Sequence, residues 1–226
     1  MSPHSSLLTP HGFFVTGTDT GVGKTLVACA LLHVLAGRGL RVVGMKPVAA
    51  GREPDGTFHD VENLVAASNV GGPRDCVNPY AFDPPIAPHI AAARSGLRID
   101  LGRIRDACAR LAAMADAVVV EGAGGLRVPL NDTEDMADLA RVLDLPVVLV
   151  VGMRLGCLNH ALLTAEAISM RGLPFAGWVA NRMDPAMDAF DDNLAALRAR
   201  LPGRLLGVIP RLGRPAGAEA AQYLEP

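Results

Sequence analysis

Short, wholly apolar runs alternate along this chain with longer segments whose apolar residues recur every three or four positions. The first pattern reads as strands buried on both faces, the second as amphipathic helices. Gly12–Gly17 is the first expected strand. Leu26–Ala36 follows as a helix closed by Gly37, and Leu40–Met45 as a second strand ending at Lys46-Pro47. Asp60–Ser68 has the pattern of a short helix, and Leu101–Met114 that of a longer one. Ala117–Glu121 is a Val-rich strand, Met136–Leu143 a helix, and Pro146–Val151 another strand. Leu158–Met170 is a helix stopped by Gly172, Phe175–Ala180 a strand, Ala186–Leu201 a helix and Leu205–Ile209 a last strand. This alternation predicts an α/β fold: a single doubly wound, mostly parallel sheet with helices on both faces. No repeat or linker divides the chain, so residues 12–226 are expected to form one domain behind a flexible leader, residues 1–11.

One stretch breaks the rhythm. Residues 78–89, Asn-Pro-Tyr-Ala-Phe-Asp-Pro-Pro-Ile-Ala-Pro-His, are too rich in proline for a central strand or a helix interior. A proline-stiffened loop of this kind is a surface crossover or a pocket wall, and the sequence by itself favours the crossover. The segment Gly213–Pro226 either covers a ligand or hangs free.

Composition narrows the class. A chain of 226 residues, half of them hydrophobic and 19% charged, is an ordinary globular protein with room for a full core. A net charge of −2 argues against a nucleic-acid surface as its main business. No apolar run reaches the ~18 residues of a membrane span. Residues 1–11 carry neither the basic start nor the apolar centre of a secretory signal. Cys29, Cys76, Cys108 and Cys157 form no C-x-x-C pair, which fits a reduced, cytoplasmic chain without disulfides or zinc.

The chemistry concentrates where strands end. Gly17-Thr18-Asp19-Thr20-Gly21-Val22-Gly23-Lys24-Thr25 lies between the first strand and the first helix. Such a turn aims backbone N–H groups and a helix N-terminus at one point, where phosphate can sit. Lys24 adds a charge for the outer phosphates, and Thr25 a hydroxyl for Mg²⁺. The strict pattern G-x-x-x-x-G-K-[ST] needs glycine at position 18, but Thr18 stands there and the glycine comes one residue earlier. Lys46, Glu121 with its following glycines, Gly152 to Gly156, and Asn181 close four further strands. In open parallel sheets ligands bind beyond these ends, so the motifs converge on one rim. Glu121 reads as a hard oxygen ligand for Mg²⁺ or as an ordinary strand-end carboxylate. Lys46, held extended before Pro47, reads as a second phosphoryl-stabilising charge or as a surface lysine. Asp60 reads first as a helix N-cap.

Further segments follow in order. They are Phe14-Val15-Thr16-Gly17-Thr18-Asp19-Thr20 with Gly23-Lys24-Thr25, Lys46-Pro47-Val48, Asn78-Pro79-Tyr80, Pro88-His89, Val120-Glu121-Gly122-Ala123-Gly124-Gly125, Leu155-Gly156-Cys157-Leu158-Asn159-His160, Gly177-Trp178-Val179-Ala180-Asn181 and Gly207-Val208-Ile209-Pro210. This series resembles the dethiobiotin synthetases, a family of P-loop NTPase type, from Gly12 to about Leu212.

The resemblance implies an ATP-dependent cyclo-ligase. One amine of 7,8-diaminononanoate takes up CO₂ as a carbamate, whose oxygen attacks the γ-phosphate to give a carbamic-phosphoric anhydride. The second amine then attacks the carbonyl, phosphate leaves, and the cyclic urea dethiobiotin forms beside ADP. The substrate supplies both nucleophiles, so the protein has only to place reactants and neutralise charge.

Carried onto this chain, the resemblance makes Lys24 and Lys46 catalytic and Thr25, Asp60 and Glu121 the Mg²⁺ ligands. Asp60 thereby moves from N-cap to metal ligand. Gly21, Val22, Gly23, Lys24, Thr25 and Leu26 would cradle the ATP phosphates, with Gly122, Ala123 and Gly124 beside them. Asn181 would read the adenine edge through its amide, among Arg182, Ile209, Pro210 and Arg211. Thr20, Lys46, Pro79 and Gly125 would meet the diamine, and the helix start at Cys157, Leu158 and Asn159 would hold its carboxylate. In the family that helix start comes from a neighbouring subunit, which implies a homodimer with composite sites. The loop through Pro79 then becomes a pocket wall.

Two positions depart from the family. Gly21 stands where some members carry Glu, and Ala50 where many carry Ser or Thr. The hydroxyl missing at Ala50 is worth roughly 0.5–1.5 kcal/mol, which weakens binding without abolishing activity. Partition-type ATPases share the phosphate loop but carry a signature lysine where this chain has Asp19. A glutamine-dependent amide ligase would need a further domain for which 226 residues leave no room. A noncatalytic nucleotide-binding module explains neither Lys46 nor Glu121.

Overall fold

The computed structural model describes residues 12–213 and 216–226; the expected leader lies outside the described residues. In chain order the elements are β1 (Gly12–Gly17), α1 (Lys24–Gly37), β2 (Val42–Met45), β3 (Val48–Ala50), α2 (His59–Ala67), α3 (Arg74–Val77), β4 (Tyr80–Phe82), α4 (Pro88–Arg94), α5 (Leu101–Ala112) and β5 (Ala117–Gly125). Then come α6 (Met136–Leu143), β6 (Val147–Met153), α7 (Cys157–Met170), β7 (Phe175–Arg182), α8 (Phe190–Arg200), β8 (Leu205–Ile209) and α9 (Gly217–Ala220).

Six strands form one sheet in the order β2-β5-β1-β6-β7-β8, and every pairing in it is parallel. Alternation along each strand divides the core in two. Phe14, Val118, Val120, Leu149 and Val151 face one apolar layer, packed by α5, α6 and α7. Phe13, Val15, Val119, Val148 and Val150 face the other, packed by α1 and α2. Continuous apolar runs are what such double burial requires. The doubly wound expectation is met, with helices on both faces.

The strands outlast their apolar runs. β5 continues past Glu121 to Gly125, β6 to Met153 and β7 to Arg182, because ladder pairing with the neighbours persists into the polar rim. α8 starts later than the apolar spacing predicts. Asp184 Oδ1 accepts the Ala186 N–H and closes a turn there, and Ala189 takes a left-handed backbone before the helix begins.

The proline-rich stretch is more ordered than expected. Tyr80–Phe82 pairs in parallel with Val48–Ala50 as a separate two-stranded sheet. Pro79 precedes that strand and Pro88 opens α4, two positions where a missing N–H costs nothing.

From Gly217 onward the C-terminal segment does not hang free. Gly217 lies so close to α1 that a Cβ on it would fall 2.5 Å from Cys29 Cβ. Glu225 N–H then reaches the Leu206 carbonyl at 2.7 Å, and Leu224 pairs with Gly207. The outer edge of β8 is thereby covered.

Candidate functional site

The phosphate loop is shaped by its packing. Gly23 has φ 93°, a left-handed conformation that favours glycine, and a Cβ there would sit 2.2 Å from Asn181 Nδ2. That amide donates to the Val22 carbonyl at 2.8 Å, while Val22 itself fills the space beside Gly17 and Gly152. Asn181 at the end of β7 therefore braces the loop from beneath. At the other end, the Asp19 carboxylate accepts the Thr20 N–H at 2.7 Å and Arg154 Nη2 at 2.5 Å. Lys24 Nζ turns back and donates to the Asp19 carbonyl at 2.9 Å.

Beside the loop lies a charged cluster. Lys46 Nζ donates to Glu121 Oε1 at 2.6 Å and to the Gly122 carbonyl at 3.2 Å, and pairs with Asp60 Oδ2 at 3.0 Å. The Thr25 hydroxyl lies 2.9 Å from Asp60 Oδ1 and 3.0 Å from Glu121 Oε1. Lys46 and Glu121 are buried. The Lys46 main chain is fixed on both sides: its N–H donates to the Val77 carbonyl at 2.8 Å, and its carbonyl accepts from Asn78 Nδ2 at 2.6 Å. Asp60 does not cap its helix. Phe58 occupies the cap position, and Asp60, in the first turn, spends its carboxylate on Thr25 and Lys46.

Burial sets the protonation tendencies. It pulls the Lys24 ammonium down to about 8, helped by the charge on Lys46 and opposed by Glu121, Asp60 and Asp19. Burial also works against the Lys46 ammonium, but Glu121 and Asp60 outweigh it and hold Lys46 above the ordinary lysine value. Burial pushes the Glu121 carboxyl up, against the pull of Lys46. Asp60 resists burial through its contacts with Lys46 and Thr25 and stays below the ordinary range. Both groups are shifted upward across a 2.6 Å contact, which favours charge on Lys46 and disfavours it on Glu121. We read the pair as ionised, because Lys46 also faces the second carboxylate of Asp60.

These groups open into one cleft of about 660 Å³. Thr20, Gly21, Gly23, Lys24 and Thr25 form its floor, and Ala123, Gly124 and Val128 one flank. Val48, Ala50 and Pro85 to Pro88 form the opposite wall, with Lys46, Asp60 and Glu121 between. The proline-rich stretch is therefore a pocket wall rather than a plain crossover, through its second half.

Other sequence candidates lie outside this cleft. Pro79 is buried behind the wall, and Ile209 lies wholly within the core below the rim. Val22, Leu26, Gly122 and Gly125 support the loop and flank without lining the cavity. Arg182 stacks on Phe190 at 4.6 Å, and Arg211 ties its segment to the Met183 carbonyl at 3.3 Å, so both stand with Pro210 and Asn181 at the far end of the rim. α7 begins with no capping side chain. The Cys157 N–H is spent on the Arg154 carbonyl at 3.0 Å, which leaves the first-turn groups of Leu158 and Asn159.

The sequence reading missed three supports: Asn78 under Lys46, Arg154 on Asp19, and the wall residues Val48 and Val128. Their partners are distant in sequence, and no local pattern marks them.

The donor set suits Mg²⁺. It offers a hydroxyl and two carboxylates, all hard oxygens, and Glu121 Oε2 is buried without a hydrogen-bond partner among the described residues. No cluster of three or more His, Cys, Asp or Glu side chains forms among those residues, and the four cysteines are free and buried. No helix among them is long and apolar enough to cross a membrane.

Comparison with known proteins bears on the family and the fold. A family model described as an AAA domain matches residues 11–216. An ATP-dependent dethiobiotin synthetase BioD of Nitrosospira multiformis is 61% identical over 199 residues, 88% of each chain. The protein of the same name from Aromatoleum aromaticum is 56% identical over 216 residues, 94% of this chain and 95% of that one. Among solved structures, a ParA family ATPase from Chlorobium tepidum superposes with a TM-score of 0.56 at 14% identity, covering 95% of this chain and 90% of the other. The MinC:MinD complex of Aquifex aeolicus gives 0.55 at 17% identity, covering 90% and 82%. At such identities these two share the phosphate-loop fold and nothing finer.

Proposed function

This chain belongs to the ATP-dependent dethiobiotin synthetase family, and we propose that its cleft closes a cyclic urea from 7,8-diaminononanoate, CO₂ and ATP. It is an ATP-dependent cyclo-ligase of biotin synthesis. The observation that carries the site assignment is the placing of Lys46 between the phosphate loop and the walled half of the cleft.

The reaction needs three things of the protein. Lys24 and the loop N–H groups hold the β- and γ-phosphates in line with the carbamate. Lys46 faces the carbamate oxygen and the γ-phosphate, where negative charge gathers as the oxygen attacks. The wall of Val48, Ala50 and Pro85 to Pro88 packs the carbon chain of the substrate and keeps water from the mixed anhydride. The second amine then attacks the carbonyl, and phosphate leaves with the electrons of the broken bond. Thr25, Asp60 and Glu121 are the residues proposed to hold Mg²⁺, which when bound neutralises charge on the β- and γ-phosphates. Asn181 Nδ2 already donates to the Val22 carbonyl and Met183 Sδ, so it is the amide Oδ1 that is offered to the base, with Pro210 and Arg211 beside it.

The proposal includes a homodimer. Leu155, Leu163 and Met170 are 98%, 56% and 80% exposed, an apolar face on α7 and the loop before it. A second copy packed on that face would bring Leu158 and Asn159 toward the neighbouring cleft. Residues 12–226 act as one catalytic unit, which the packing of α9 on α1 supports. The four free thiols fit a cytoplasmic setting.

Isotope tracing tests the chemistry. With ¹³C-bicarbonate, the diamine and MgATP, the label should enter the ureido carbonyl of the product, read by NMR. Label that stays in bicarbonate while ADP accumulates contradicts the proposal and favours a switch.

A further inference from the structure

We propose that the Lys46 ammonium is the resident counter-ion of the Glu121–Asp60 pair, so that a divalent cation must displace it and thereby releases Lys46 toward the reacting groups. This rests on the assignment of Thr25, Asp60 and Glu121 as metal ligands. Lys46 Nζ lies 2.6 Å from Glu121 Oε1 and 3.0 Å from Asp60 Oδ2. Those two carboxylates are the only acidic groups in the donor set, and the Thr25 hydroxyl crowds the same Oε1 at 3.0 Å. Mg²⁺ demands oxygens at about 2.0–2.1 Å in near-octahedral array. An ammonium and a divalent ion therefore compete for the same two carboxylates, and as like charges they also repel each other.

Two features make the exchange feasible. Glu121 Oε2, buried and without a partner among the described residues, is an acceptor that Lys46 has not claimed. The Lys46 backbone is clamped by Val77 and Asn78, so only its flexible stem has to move. The cleft that both groups line receives the displaced ammonium. Lys46 is thus withheld from the substrate by two carboxylates until the cation arrives, and cation binding orders the steps.

The test counts Mn²⁺ bound to the full chain without nucleotide, by EPR of the free ion. Lys46→Met should bind Mn²⁺ about tenfold more tightly than the wild type, because its carboxylates are left without a counter-charge. Lys46→Arg keeps the charge and should stay close to the wild type. Adding Glu121→Gln to either background should abolish the site. Equal affinity in the wild type and Lys46→Met, lost in both on Glu121→Gln, overturns the exchange but leaves the metal site standing. Binding that ignores Glu121→Gln in both backgrounds overturns the metal assignment and the exchange with it. A measurement on the wild type alone guards against a variant that fails to fold. The side-chain ¹⁵N resonance of Lys46 should move or broaden on titration with Mg²⁺, and an unmoved resonance at saturating Mg²⁺ overturns the proposal.

Discussion

Raising the pH perturbs the phosphate loop directly, because Lys24 titrates near 8. Burial is the main cause, and the charge on Lys46 adds to it. In the unfolded chain the same ammonium keeps the ordinary 10.5. The folded value lies below the unfolded one, so protonated Lys24 costs stability. The cost is fully present below pH 8 and is relieved as pH rises toward 10.5. At about 1.4 kcal/mol for each pH unit, the difference is roughly 3 kcal/mol. A triphosphate beside Lys24 supplies the missing negative charge and favours the ammonium again.

ATP binding above pH 8 must therefore restore a proton that the free protein has lost. Affinity should fall about tenfold per pH unit beyond that point. Calorimetric titration across the window, in buffers of different ionisation enthalpy, reads both the affinity and the proton uptake. Uptake should rise toward one proton per ATP in the alkaline arm. In Lys24→Arg, whose guanidinium stays charged throughout, the break should disappear. A flat affinity with no proton uptake in the wild type would refute the reasoning.

Other perturbations address separate parts of the account. Lys46→Ala should lose turnover by about a hundred- to a thousandfold while circular dichroism stays native; near-normal turnover would remove Lys46 from the mechanism. Gly23→Ala forces a Cβ to within 2.2 Å of Asn181 Nδ2, and should cost about 1–3 kcal/mol in denaturant melts and weaken ATP binding. An unchanged melt would mean that the loop tolerates a side chain there. Leu163→Asp combined with Met170→Asp puts charge on the apolar face of α7, and should give inactive monomers in sedimentation experiments. A dimer that survives both changes would place the interface elsewhere.

Much of the architecture was legible because burial on both faces leaves a plain mark. Runs such as Val147–Val151 have no polar side to present, and only a sheet sandwiched between helices asks for that. The strand ends were harder to read, since ladder hydrogen bonds carry β5 through glycines that have no hydropathy signal. β3 and β4 escaped because three-residue strands are too short for a pattern, and the neighbouring prolines argued against them. Pro79 and Pro88 sit where the backbone can spare an N–H, which composition does not reveal.

At the site, position could be read but pairing could not. Strand-end logic placed Lys46, Glu121 and Asn181 on one rim. It did not foresee that Lys46 would join Asp60 and Glu121, whose partners lie 14 and 75 residues away. Asp60 illustrates the limit. Local sequence favours an N-cap, the family resemblance moves Asp60 to the metal ligands, and the structure ties its carboxylate to Thr25 and Lys46. Asn181 was assigned to the base, yet one of its amide N–H groups already braces Val22.

The coupling of ATP consumption to the diamine tests the central claim most directly. With purified protein, bicarbonate and MgATP, ADP release should stay at background until 7,8-diaminononanoate is added. It should then proceed with one dethiobiotin formed per ADP. ADP release at the same rate with and without the diamine, and no cyclic urea in the product, would contradict the account.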